Sequence, residues 1–197
     1  MNLPNKLTLL RIILIPFFML FAFPFPDSIN AIVSEWSFYM KSKELIAFII
    51  FIAASFTDFL DGHIARKQNL VTDFGKFLDP IADKLLVTAS LLALTEVNKA
   101  YVWATMIILI REFAVTGIRL IAAGKGVVIA AGKMGKLKTV FQMAAISVLL
   151  FAPVIKINAV CDVLYTIGNV LMAAAVVLTI ISGIEYLYKN RALIASK

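Results

Sequence analysis

The sequence has little of what soluble enzymes and small secreted proteins depend on. Only 16% of its 197 residues are charged and 61% are apolar, whereas soluble domains are about half apolar. One cysteine, Cys161, and one histidine, His63, exclude an internal disulfide framework and a zinc site built from Cys and His clusters. This composition excludes an ordinary soluble enzyme, a disordered tail and a collagen-like fibre. It indicates a membrane protein whose chemistry depends on other side chains.

The sequence contains several long apolar runs. A helix that crosses a bilayer core of about 30 Å needs roughly 20 apolar residues. Residues 163–184 contain no charge over 22 positions, and residues 139–155 contain none over 17. A shorter run, 12–26, follows Lys6 and Arg11. We interpret it as a retained span rather than a secretory signal, because no small-residue cleavage site follows it.

Three further apolar runs, 45–57, 85–95 and 100–110, are too short to cross a membrane alone. If each belongs to a full span, the remaining turns carry charges, which cost about 2.5–3.5 kcal/mol each at a helix centre unless they are hydrated, paired or metal-bound. The sequence therefore predicts an all-α membrane protein in which six transmembrane helices form a bundle around a polar cavity. The predicted spans of this single domain, 1–197, are 7–24, 42–64, 76–96, 101–123, 137–155 and 160–188.

Basic residues are distributed unevenly over this topology. With the N-terminus in the cytoplasm, fifteen of the nineteen Lys and Arg residues lie at or toward the inner side. Such a bias is typical of cytoplasmic loops. It predicts a multi-pass protein of the cytoplasmic (inner) cell membrane, with both termini and the cavity opening on the cytoplasmic side. Because the bias accounts for the net charge of +7, we expect no nucleic acid partner.

Four regularly spaced aspartates form the strongest chemical signal. Asp58 and Asp61 are three positions apart on one predicted helix, and Asp79 and Asp83 are four apart on the next, so each pair shares a helix face. A short cytoplasmic connection brings both pairs to one membrane surface. Four carboxylates at close quarters would partly neutralise unless cations were present. Mg²⁺ and Mn²⁺ prefer such oxygen ligands and share them with phosphates, and a pair of these ions suits in-line phosphoryl displacement.

Two other interpretations of these acids stay open at this point. Asp61 and Gly62 would form a turn, and the remaining acids would be solvated charges at helix ends. Alternatively, a divalent cation or proton transporter would also hold acids inside the membrane. The residues between the acids favour an enzyme, because Gly62 and Gly75 allow a ligand to approach the backbone closely and Arg66 suits a phosphate.

The segment Asp58-x-x-Asp61-Gly62-x-x-Ala65-Arg66-x8-Gly75-x-x-x-Asp79-x-x-x-Asp83 resembles the signature of the CDP-alcohol phosphotransferase family at every fixed position. The resemblance implies that an alcohol hydroxyl attacks the β-phosphorus of a CDP-linked lipid and that CMP leaves. It implies a homodimer and two divalent cations, Mg²⁺ or Mn²⁺, with Asp83 also accepting the hydroxyl proton. The implied metal ligands are Asp58, Asp61, Asp79 and Asp83. The implied cradle for the CDP-lipid is Gly62, Ala65, Arg66 and Gly75.

Basic residues outside this segment bear on the acceptor alcohol. Arg111 and Arg119 lie within about 80° of each other on one helix, and two more guanidiniums suggest a second phosphate group. Glu112 is expected either to pair with Arg111 or to offset its charge. Segments 2–11, 110–113 and 135–142 are similar to bacterial family members that use glycerol 3-phosphate. The predicted ligands of the acceptor phosphate are Arg111, Arg119, Lys136 and Lys138.

We therefore expect transfer of a phosphatidyl group from CDP-diacylglycerol to glycerol 3-phosphate, giving phosphatidylglycerophosphate and CMP in phospholipid biosynthesis. Inositol phosphate or a neutral alcohol as acceptor is the alternative within the same chemistry. Asn5, Thr8 and Arg11 at the start of the first span are predicted to contact the CDP-lipid. Their alternative role is an N-cap followed by a basic topology anchor. Membrane lipids are the other expected partners.

Overall fold

Six α-helices and one short 3₁₀ helix make up most of the described chain in a computed structural model. The backbone is described at residues 3–23, 25, 37–68, 73–98, 101–127, 129–130 and 132–191, and no strand occurs within these ranges. The side chains at 3–4, 37–41, 58–68, 73–77, 79–80 and 97 lie outside the description. The α-helices are α1 (Leu3–Ala22), α2 (Ser37–Gln68), α3 (Asp73–Val97), α4 (Tyr101–Gly124), α5 (Lys133–Phe151) and α6 (Asn158–Lys189), and the 3₁₀ helix is Ala152–Val154.

The helices pack around one main apolar core. Helix α1 packs on α2 and α3, α3 also contacts α4 and α5, and α6 packs on α4 and α5. The first five helices each contribute a large apolar side chain without solvent exposure: Phe18, Phe51, Leu91, Ile108 and Ile146. The rings of Phe18 and Phe51 are 6.3 Å apart at their centroids. Burial of these side chains holds α1 to α5 together.

A glycine permits a close contact between α5 and α6. A Cβ atom placed on Gly168 of α6 would lie 2.5 Å from Cδ2 of Leu149 on α5, far inside van der Waals contact. Small residues allow membrane helices to approach in this way. Gly168 therefore sets the spacing between α5 and α6.

A second glycine ends α4. Gly126 has φ +72°, a conformation that favours glycine. The amide of Gly126 donates to the carbonyl of Ala123 at 3.0 Å, and the amide of Val127 donates to that of Ala122 at 2.9 Å. These two bonds form a Schellman motif, which satisfies carbonyls that the helix end leaves open.

The predicted all-helical class is confirmed. Each predicted span overlaps one helix with different bounds, since 7–24 and 137–155 run past the ends of α1 and α5. Three helical segments are long and apolar enough to cross a bilayer: Asn5–Ala22, Lys133–Val154 and Asn158–Lys189. Helices α2, α3 and α4 carry the charges that interrupt their apolar runs, and their crossing stays a prediction. Trp103, Phe113 and Leu120 of α4 are all exposed, as a surface in contact with lipid requires.

Candidate active site

The backbone places the four signature aspartates on two helices that contact each other. Asp58 and Asp61 lie near the C-terminal end of α2, and Asp79 and Asp83 lie in the first half of α3. Because the backbone is helical at all four positions, each pair is within about 60° around its helix axis. The predicted site residues whose side chains lie outside the described residues are Asp58, Asp61, Gly62, Ala65, Arg66, Gly75 and Asp79.

Asp83 is the signature aspartate whose side chain is described, and it lines a cleft between α3, α4 and α5. The cleft has a volume of about 50 Å³, and we call it the Asp83 cleft. Glu112 of α4 and two residues of α5, Lys138 and Gln142, also line it. The Lys138 ammonium interacts electrostatically with the Asp83 carboxylate. The structure thus brings two of the predicted site residues, Asp83 and Lys138, to one space.

Glu112 connects two of the predicted acceptor-phosphate residues. Its Oε1 accepts a hydrogen bond from Lys138 Nζ at 2.5 Å and another from Arg111 Nη1 at 3.0 Å. The pairing with Arg111 is confirmed, whereas the contact with Lys138 joins residues 26 positions apart and has no local sequence signal. Glu112 therefore holds Lys138 at the cleft and joins it to Arg111, which does not itself line the cleft.

Two glycines that the sequence analysis did not single out make room for Arg111. A Cβ atom on Gly135 of α5 would lie 3.1 Å from Arg111 Nη2, and one on Gly183 of α6 would lie 3.1 Å from Arg111 Cγ. The side chain of Arg111 thus runs between α5 and α6. Its Nε is buried and has no hydrogen-bond partner among the residues that the structure describes.

The other two predicted acceptor residues lie elsewhere. Arg119 is on α4, where its Nε donates to the hydroxyl of Tyr186 at 3.4 Å and its guanidinium lies 5.7 Å from the Tyr186 ring centroid. Lys136 is exposed near the start of α5. Neither residue lines the Asp83 cleft.

A chain of two hydrogen bonds links α3 to α4 beside the cleft. The ammonium of Lys84 donates to the hydroxyl of Thr116. That hydroxyl in turn donates to the backbone carbonyl of Glu112 at 2.7 Å. Lys84 also lines the cleft, so the cleft has a second cation on the α3 side.

The three predicted residues of α1 form one buried polar stripe. Asn5, Thr8 and Arg11 recur every third position and are all buried, and α1 packs on the two helices that carry the aspartates. Each of them has an interaction with another group. Since α1 begins at Leu3, neither Asn5 nor Thr8 is its N-cap. Burial of a complete arginine also argues against a role as a solvated topology anchor.

The comparisons with known proteins agree with this arrangement. A sequence model of the family described as CDP-alcohol phosphatidyltransferase matches residues 1–181. The chain is 46% identical over 190 residues to the CDP-diacylglycerol--glycerol-3-phosphate 3-phosphatidyltransferase of Bacillus subtilis (strain 168), covering 96% of this chain and 95% of the relative.

Two further relatives, with lower identity, support the same family assignment. The protein of the same name from Rickettsia bellii (strain RML369-C) is 38% identical over 189 residues, 94% of this chain and 93% of its own. A probable phosphatidylglycerophosphate synthase of Mycobacterium tuberculosis (strain H37Rv) is 37% identical over 185 residues, 94% of this chain and 79% of its own. Because the family model and these relatives match nearly the whole chain, the protein belongs to the CDP-alcohol phosphatidyltransferase family.

Proposed function

We propose that this protein transfers a phosphatidyl group from CDP-diacylglycerol to glycerol 3-phosphate, releasing phosphatidylglycerophosphate and CMP. The observation that carries the proposal is the 46% identity, over 96% of the chain, to a relative named for this reaction. The geometry supports it, because an acid suited to accept a proton and a cation suited to bind a phosphate line one cleft, Asp83 and Lys138.

The donor set of the signature suits divalent cations, which members of this family use. Four carboxylates on two contacting helices supply the hard oxygen ligands that Mg²⁺ and Mn²⁺ prefer. We infer that Asp58, Asp61, Asp79 and Asp83 hold two such ions. When bound, the ions would supply positive charge to the diphosphate at which displacement occurs.

Asp83 is proposed to accept the proton of the attacking hydroxyl. In that step the hydroxyl oxygen of the acceptor forms a bond to the β-phosphorus, and the bond from that phosphorus to the bridging oxygen breaks. CMP leaves with the electron pair, and the proton passes to the Asp83 carboxylate. The exposure of Asp83 on the cleft gives an incoming alcohol access to this acid.

The basic residues are proposed to divide between the two phosphate-bearing substrates. Lys138 keeps donors beyond its bond to Glu112, since an ammonium has three, and Arg111 retains its Nε. Both would bind the acceptor phosphate, together with Arg119 and Lys136. The CDP-lipid would lie against the buried α1 stripe and the signature glycines. The residues of that second set are Asn5, Thr8, Arg11, Gly62, Ala65, Arg66 and Gly75.

The membrane arrangement is also part of the proposal. All six helices would cross the cytoplasmic membrane, with both termini and the Asp83 cleft on the cytoplasmic side, where glycerol 3-phosphate is dissolved. Basic residues lie toward the C-terminal end of α4 and at the start of α5. Because Lys and Arg are enriched in cytoplasmic loops, these residues support this orientation. A homodimer is expected from the family resemblance.

Release of CMP by the purified protein tests the function. The protein, in detergent with CDP-diacylglycerol and Mg²⁺ or Mn²⁺, is given glycerol 3-phosphate, inositol 1-phosphate, inositol, serine or glycerol in separate reactions. Release with glycerol 3-phosphate alone is the expected result. Preference for another acceptor would keep the chemistry and overturn the assignment of the acceptor. No release with any acceptor by folded protein, together with Mg²⁺ or proton flux in sealed vesicles, would favour a transporter.

A further inference from the structure

Gln142 is a buried polar residue to which the proposed reaction gives no role. It lies one helical turn after Lys138 on α5, and only 2% of the residue is exposed. Its Oε1 is buried and has no hydrogen-bond partner within the described part of the chain. Buried amide oxygens are almost always paired, because an unpaired one loses its hydrogen bonds to water without replacement. The unpaired atom therefore indicates a ligand.

The Asp83 cleft determines what kind of ligand this is. Gln142 and Asp83 both line it, so a group beside Gln142 belongs to a molecule whose reacting atom is beside Asp83. The volume of about 50 Å³ gives room for a few atoms of a small ligand, since one water molecule needs about 10–15 Å³ on this measure. A hydroxyl on a short carbon chain has that size. The phosphate of such an acceptor would lie toward Lys138, which lines the same cleft.

The chemistry of the carboxamide agrees with a hydroxyl. A glutamine presents both an acceptor and donors, and a hydroxyl both donates and accepts. Rotation by half a turn about the Cγ–Cδ bond exchanges the amide oxygen and nitrogen, so either the acceptor or the donor can face the ligand. Of the charged residues of the cleft, Asp83 is assigned to the proton and Lys138, paired with Glu112, to the phosphate. Thr139, a neutral residue of the cleft, bonds to a carbonyl of its own helix, whereas Gln142 Oε1 is buried without a partner among the described residues.

We propose that Gln142 binds the second, non-reacting hydroxyl of the acceptor and thereby selects polyol phosphates over phosphates with a single hydroxyl. This inference rests on the proposed function. Glycerol 3-phosphate has one hydroxyl that attacks and another on the adjacent carbon. With the reacting hydroxyl beside Asp83 and the phosphate on the basic residues, the adjacent hydroxyl points into the cleft toward Gln142. The bond holds the reacting oxygen in line with the phosphorus.

The test compares two acceptors that differ by this hydroxyl, glycerol 3-phosphate and 3-hydroxypropyl phosphate. kcat/KM for CMP release is measured for the wild-type protein and for Gln142→Met, which keeps the length of the side chain but not its hydrogen bonds. Gln142→Met is expected to lower kcat/KM for glycerol 3-phosphate about tenfold. It is expected to change the value for 3-hydroxypropyl phosphate less than about twofold. Ser147→Ala is the matched control, since Ser147 lies on α5, bonds to the Met143 carbonyl at 2.8 Å and does not line the cleft.

The possible results distinguish failure of the role given to Gln142 from failure of the proposed function. Equal losses with both acceptors would assign Gln142 a structural role and overturn the inference, and so would an unchanged preference in Gln142→Met. A wild-type preference near one would overturn it without any variant, which covers the case in which Gln142→Met does not fold. These results leave the proposed function intact. Absence of CMP release by the wild-type protein with either acceptor would instead overturn the proposed function, and the inference with it.

Discussion

Glu112 and Lys138 form an ion pair between α4 and α5 in which Nζ lies 2.5 Å from Oε1. The Lys138 side chain is only 3% exposed and that of Glu112 is 26% exposed. An ammonium in such a position keeps its charge only beside a carboxylate. The pair therefore places a desolvated cation on the wall of the Asp83 cleft. It also couples the stability of the bundle to the residues proposed to bind the acceptor.

Replacement of Glu112 by glutamine tests this coupling. Glu112→Gln removes the countercharge of Lys138 and Arg111, and we expect it to lower the free energy of unfolding by about 1–3 kcal/mol. Thermal unfolding of the purified protein in detergent measures the change. Glu185→Gln is the control, because Glu185 pairs with Lys189 at the same distance of 2.5 Å but on the exposed surface, where a pair contributes about 0–1 kcal/mol. Equal losses in the two variants would contradict the proposed importance of burial.

The packing of α5 on α6 gives a second prediction. Gly168→Ala places a methyl group 2.5 Å from Leu149 Cδ2, so the helices must separate or Leu149 must leave its rotamer. We expect a loss of about 1–3 kcal/mol in stability. Gly117→Ala makes the same substitution on α4, where nothing lies within 4 Å of the new methyl group. That control is expected to be neutral or stabilising, since alanine is the better helix former. Unfolding midpoints in one detergent compare the two variants, and a stable Gly168→Ala would show that the contact relaxes at no cost.

The features of this architecture that could be predicted from the sequence arise from local patterns. The helices follow from apolar runs, and the pairs of aspartates from spacings of three and four residues that helical geometry places on one face. The buried stripe at Asn5, Thr8 and Arg11 has the same period. These features depend on residues close together in the chain, which explains why each predicted span overlaps one observed helix.

Contacts between distant residues could not be predicted in this way. The bond between Glu112 and Lys138 depends on how α4 and α5 are rotated, and composition does not fix that rotation. The space that Gly135 and Gly183 leave for Arg111 requires three helices in register. Gln142 ends segment 135–142, which is similar to family members, but that similarity gives the residue no role, and its place in the cleft is visible only in the structure.

Arg119 provides a test of acceptor recognition. Arg119→Ala removes a guanidinium that is held by Tyr186 at 3.4 Å, and charge-assisted bonds to phosphate contribute about 1.5–3 kcal/mol. We expect KM for glycerol 3-phosphate to rise roughly tenfold or more, while KM for CDP-diacylglycerol changes little. Steady-state CMP release with one substrate varied at a time gives both values. Equal increases would argue against a role at the acceptor.

Tyr186→Phe separates the position of Arg119 from its charge. The variant loses the hydroxyl that accepts from Arg119 Nε but keeps the ring, whose centroid lies 5.7 Å from the guanidinium. Because the cation is retained, we expect KM for glycerol 3-phosphate to rise only about twofold to threefold, consistent with one neutral hydrogen bond. A loss as large as that of Arg119→Ala would mean that orientation, rather than charge, sets the affinity for the acceptor.

A substitution at Asp83 separates the proton-transfer step from binding of the CDP-lipid. Asp83→Asn keeps the size of the side chain and its place on the cleft but leaves no carboxylate to take the hydroxyl proton. We expect kcat for CMP release to fall by about 10²–10⁴, the usual contribution of a general base, while CDP-diacylglycerol still binds. Binding is measured with the lipid alone, and Mn²⁺ titration of the variant separates a lost proton acceptor from a weakened cation site. Asp162→Asn, at an exposed acid near the start of α6, is the control and should keep full activity. If Asp83→Asn were equally active, the proton would have to pass to another group, and the assignment of the cleft as the reacting site would fail.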